Sequence, residues 1–152
     1  MQSRVLFLGL AMIASCDAAS AATLTFRGAA LSSCALGVPV DGTLQLGADL
    51  SSWTTLTPAS ISATNTAPAT LTVTKPTDWA SAPAQTPTTA FTMTASTTGV
   101  NVGTLTGGGP ALTQSLSAIG VTVLSVSLGA TAAAPYRAGL HTAEVTVTCA
   151  VP

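Results

Sequence analysis

Cys34 and Cys149 carry the most easily stated chemistry in this chain: two thiols that can be oxidised to one disulfide. Each lies in phase with an apolar alternation of period two. Ahead of Cys149, Ala143, Val145 and Val147 alternate with Glu144, Thr146 and Thr148, which sets a greasy face against a polar one and predicts a final β-strand. Around Cys34 the same phase collects Leu24, Phe26 and Ala30 before it and Leu36 and Val38 after it, with Gly28 as an interruption. Two inward thiols on the first and last strands of one small exported domain predict a Cys34–Cys149 disulfide that ties its ends together.

Other chemistry finds little purchase. His141 is the only histidine, and its nearest carboxylate, Glu144, falls on the opposite face of a regular strand. Asp41, Asp49 and Asp78 are scattered among many serines, but no glycine pattern frames a serine as a nucleophile. The expectation is a protein that is not an enzyme, with His141 an exposed structural residue near a strand start. One histidine, two cysteines suited to a disulfide and dispersed acids give no metal-ligand spacing, and 107–109 reads as a turn rather than a phosphate loop, so no cofactor is expected. Trp53, Trp79 and Tyr136 could stack on sugar rings from loops; the favoured reading is core packing across the disulfide.

Arg4 followed by the apolar run 5–14 has the form of a signal peptide and is too short to span a bilayer as a mature helix. Small residues at Ser20 and Ala22, or at Ala19 and Ala21, offer cleavage sites. Residues 1–22 are therefore read as the signal and 23–152 as one secreted domain. Ile13-Ala14-Ser15-Cys16 also resembles a lipobox, which would make Cys16 a lipidated N-terminus. Either route leaves two cysteines to pair. No second apolar stretch is long enough for a membrane span.

About 130 residues suit a single core. Charged residues make up only 6% of the chain and Thr, Ala, Ser, Gly and Val dominate, a mixture that favours strands and turns over helices. A net charge of −1 gives no basic field for nucleic acid or anionic membranes. Lys75 is the only lysine, so strand edges are expected either to be closed by the chain's own loops and prolines or to be covered by a neighbouring subunit.

Along the chain, Asp41-Gly42 marks a turn before a short strand with Leu44 and Leu46, and 51–58 reads as a connection containing Trp53. Ile61 and Ala63 begin a run that turns at 65–68 into Leu71 and Val73 as a hairpin. Residues 75–89, with Pro76, Pro83 and Pro87, form the longest loop. Phe91, Met93 and Ala95 lead into a second hairpin with Val100 and Val102. Val121 and Val123 share one phase while Leu124, Val126 and Leu128 share the other, which predicts a bulge between 123 and 124. The count is about seven or eight strands with no helix beyond a turn or two, an all-β antiparallel sandwich.

Thr25-Phe26-Arg27-Gly28 with Ser33-Cys34-Ala35-Leu36, and Tyr136-Arg137-Ala138-Gly139-Leu140-His141 leading into Val145-Thr146-Val147, resemble segments of bacterial chaperone–usher pilins and spore coat protein U-like secreted domains. The two matches cover about a quarter of the chain. The resemblance implies an immunoglobulin-like sandwich lacking one strand, completed by a neighbour's N-terminal extension. It implies a pilus, filament or surface-coat subunit, with itself or homologous subunits as partners and a periplasmic chaperone and outer-membrane assembly protein to deliver it. Leu24, Phe26 and Ala30 then become the candidate assembly strand. This chain departs from the pilin pattern in placing its second cysteine at the far C-terminus and in ending Val151-Pro152. The alternative is a monomeric periplasmic or lipid-anchored sandwich that binds carbohydrate or protein through its loops.

Overall fold

A computed structural model describes residues 32–107 and 109–152. The signal segment 1–22, Cys16, and the strand expected at Leu24, Phe26 and Ala30 lie outside the described residues. Among the described residues ten strands are present: β1 (Cys34–Leu36), β2 (Thr43–Leu46), β3 (Ser52–Thr57), β4 (Ala59–Asn65), β5 (Ala69–Thr74), β6 (Thr89–Gly99), β7 (Gly103–Thr104), β8 (Ala111–Leu116), β9 (Gly120–Ala132) and β10 (Thr146–Ala150). They form two antiparallel sheets packed as a sandwich, one of seven strands and one of three in the order β10-β5-β8. Ten strands exceed the seven or eight expected, partly because long strands are broken by irregularities.

The larger sheet is centred on β9. Its inward residues Thr122, Leu124, Val126, Leu128 and Ala130 are buried, and β6 pairs with it along its full length. On the other side, β3 and β4 follow one another along β9, and β1 and β2 follow one another along β4 and β3. Residues 34–46 and 52–65 thus make one long hairpin around the turn at 47–51. Segment 51–58, expected as a connection, is largely β3; Trp, Thr and Leu there suit a half-buried pleated surface, and Pro58 merely interrupts the ladder. Between the β3 and β4 registers, two more residues lie on their side than on β9, and the Thr55 hydroxyl spans the gap by donating to Leu128 O (2.8 Å) and accepting from Leu128 N (2.7 Å).

Three other expectations change. β4 and β5 do not form a hairpin: the chain crosses at 66–68 from the larger sheet to the smaller. β9 runs without a bulge between 123 and 124, because Val121 and Val123 simply point outward, half or less exposed, while Leu124 points in. The second hairpin exists as β6–β7, but Val100 and Val102 occupy its exposed turn rather than a strand. β8 follows the glycine run and had no counterpart among the expected strands.

Ala63, Leu71, Val73, Ala95, Leu116 and Leu124 fill the main core between the sheets. A second cluster of Phe91, Leu128 and Ala130 packs against Trp53 and Trp79 nearer one end. At the opposite end two buried asparagines serve as turn anchors. Asn101 Nδ2 donates to Ala118 O and Thr122 Oγ1, Ala118 N donates back to Asn101 Oδ1, and Asn65 Nδ2 donates to Ala67 O and Ala118 O.

Candidate functional site

The two flanks of the sandwich are built differently. On one, the chain itself passes between sheets: β7 pairs with β6, and two residues later Thr106 bridges to Thr113 of β8. There the buried Thr97 hydroxyl donates to Gln114 Oε1 at 2.8 Å, from one sheet to the other. On the opposite flank the larger sheet ends at β1 and β2 and the smaller at β10. The covalent tie across it is the disulfide between Cys34 of β1 and Cys149 of β10, with Cα atoms 5.7 Å apart, as the alternation predicts.

Burial along this flank is incomplete. In β5, Ala69, Leu71 and Val73 face the core and are almost fully enclosed. The matching positions on the neighbouring edge strand, Val147 and Cys149, together with Val145 and Val151 on either side of β10, touch the same core yet are only half-buried. Leu36, on the core side of β1 with Cys34, is 36% exposed. Val38, expected inside, lies beyond β1 and is 88% exposed because the strand phase ends at Gly37. Among the described residues no strand pairs with the outer edge of β10, so its outward N–H and C=O groups are left without ladder partners. Neither β10 nor β1 carries a charged residue or a proline.

The aromatic residues gather elsewhere. Trp53, Trp79, Tyr136 and His141 are all in mutual ring contact, with centroids 5.0–6.1 Å apart, and Phe91 adds an edge contact to Trp79. The rings are too close together to enclose a ligand. Core packing for the tryptophans is what the structure shows, but at the end of the sandwich remote from the disulfide rather than across it. His141, expected as exposed, is half-buried there; its Nδ1 is 3.2 Å from Gly139 O. Two carboxylates are engaged in local hydrogen bonds. Asp49 accepts hydrogen bonds from the Ser51 and Ser52 hydroxyls, which with their backbone amides hold its carboxyl below the usual range, and Asp78 accepts one from Trp79 N.

Among the described residues no three His, Cys, Asp or Glu side chains converge, and no helix is long and apolar enough to cross a membrane. The alternation of Val145 and Val147 was plain in the sequence. That these valines stay half-open was not, since periodicity fixes a face but not what covers it. Comparison with protein-family models, with curated proteins and with solved structures finds no match for this chain.

Proposed function

We propose that this protein is an exported subunit of a cell-surface filament or coat, and that it assembles by strand pairing along the β10 flank. One observation carries the reading: an uncharged edge strand whose core-facing valines are half-open beside a backbone edge that has no partner strand among the described residues. An added strand would satisfy the β10 amides and carbonyls and bury Val145, Val147, Val151 and Leu36 together. Residues 23–31, with Leu24, Phe26 and Ala30 in alternation, supply a segment of suitable pattern, donated by a neighbouring copy. The disulfide suits an oxidising compartment such as the periplasm or cell exterior.

The test compares the disulfide-bonded protein with a variant lacking residues 23–31. The intact protein is expected to form concentration-dependent, heat-resistant ladders on gels and ordered assemblies by electron microscopy, and the shortened one to remain monomeric. A strictly monomeric intact protein, with β10 amides protected from hydrogen exchange by its own residues 23–31, would sink the proposal in favour of a self-complete module.

A further inference from the structure

The end of the sandwich at which the described chain begins carries a group of exposed apolar side chains. Val100 and Val102 in the β6–β7 turn and Ile119 in the β8–β9 turn are 47%, 76% and 62% exposed, and Val121 follows on the outward face of β9 at 50%. No charged residue lies anywhere in 89–132 to solvate them. We infer that this end seats against the aromatic end of a second copy, at Leu50 and Leu140, and so adds a body-to-body contact to the strand pairing proposed above.

The turns are fixed so that these side chains stay outward. Asn101, buried between the two valines, donates to Ala118 O at 2.8 Å and to Thr122 Oγ1 at 2.9 Å, and accepts from Ala118 N at 2.9 Å. It thereby ties the β6–β7 turn to the residues that flank Ile119 and Val121. Val100 N donates to Val121 O at 3.1 Å, and the Val100 side chain lies over Gly120, where an added Cβ would stand 3.0 Å from Val100 Cγ1. Apolar groups already held in place lose little further freedom when a partner covers them.

The partner follows from where the chain begins. Cys34 pairs with Asn65 and Asn65 with Gly120, so the chain enters about 10 Å, two strand spacings, from the start of β9. The inference rests on the strand-pairing reading: with residues 24–30 donated to a neighbour's β10 edge, three residue steps separate Ala30 from Ser33, a reach of about 11 Å at most. The neighbour's body is thereby drawn against this end. Both ladders of the smaller sheet are antiparallel, and a donated strand that keeps this sense runs against β10 and finishes beside Thr146. Thr146 lies toward the aromatic end, since Ala143 and Val145 just before it pack on the Phe91, Leu128 and Ala130 cluster. Leu140 and Leu50 stand 79% and 51% exposed there, and the Leu50 carbonyl accepts from Tyr136 N at 2.7 Å. Because the two contacting surfaces lie on opposite ends of one molecule, each copy can take a further one and the contact repeats in one direction.

Val102→Asp with Ile119→Asp alters exposed turn positions only, and an unchanged urea midpoint establishes that the double variant is folded. Two readouts separate the contact from the strand. A synthetic 23–31 peptide is expected to bind protein lacking residues 23–31 equally with and without the two substitutions, whereas the double variant that retains 23–31 is expected to need at least about tenfold more protein than the parent to form ladders. Oxidised mixtures of Val102→Cys and Leu140→Cys proteins are expected to cross-link one variant to the other. The inference alone is overturned if the parent assembles and the double variant does so at the same concentration, or if Val102→Cys links only to itself, which would mean that like ends meet. A parent that neither binds the peptide nor assembles removes the strand-pairing reading and this inference with it.

Discussion

Asp49 shows how little of a residue's role its type reveals. In the sequence it is one of several acids scattered among serines and therefore a conceivable triad member; in the structure it receives the Ser52 and Ser51 hydroxyls, three and two residues on, and pins the turn at 47–51, where Leu50 adopts φ 57°. Those hydrogen bonds, Ser52 first, favour the charged form and lower its pKa. A lowered folded-state pKa gives a stabilisation that is present above the unfolded value and is lost as pH falls through the folded one. By NMR titration Asp49 is expected to protonate below the ordinary aspartate range, and Ser52→Ala is expected to raise its midpoint. An unshifted midpoint in the parent protein would refute this assignment. The spacing of an acid two and three residues before serines is a local turn signal, so this contact was legible, whereas the distant partners of His141 and Trp79 were not.

At the scale of elements, Thr55 carries the irregular join between β3 and β4. Its hydroxyl stands in for a missing backbone partner on both the N–H and the C=O of Leu128. Thr55→Val keeps the shape and removes both bonds, so urea unfolding should report a loss of about 1–3 kcal/mol. A change within error would mean that water replaces the hydroxyl without cost. Strands with clean alternation, such as β5, β6 and β10, could be read directly from Leu71-Thr72-Val73, Phe91-Thr92-Met93 and Val145-Thr146-Val147. β3 could not, because Trp53-Thr54-Thr55-Leu56 keeps no period and ends at a proline. β9 was misread for a different reason: an outward valine is tolerated at little cost, so Val121 and Val123 mimicked a change of phase. Nor does a turn between two strands say whether they pair or belong to different sheets, which is why β4 and β5 looked like a hairpin.

Across the whole molecule, the fold class and the cysteine pair were open to sequence reasoning, since both follow from period and compartment. Which flank lacks an outer partner strand among the described residues was not, since it depends on strand order. The disulfide closes a loop of sequence separation 115, and the chain-entropy view puts its contribution at about 2–5 kcal/mol. Cys34→Ser with Cys149→Ser is expected to lower the urea midpoint accordingly. An unchanged midpoint would show that the core alone holds the open flank together.

The same bond settles how tension travels. A pull applied through the segments before Cys34 and after Cys149 passes directly from sulfur to sulfur, so the intervening polypeptide bears none of it. Roughly 400 Å of contour that would otherwise be available to unravel stays locked, and a string of such units would resist stretching until the linkages between neighbours gave way.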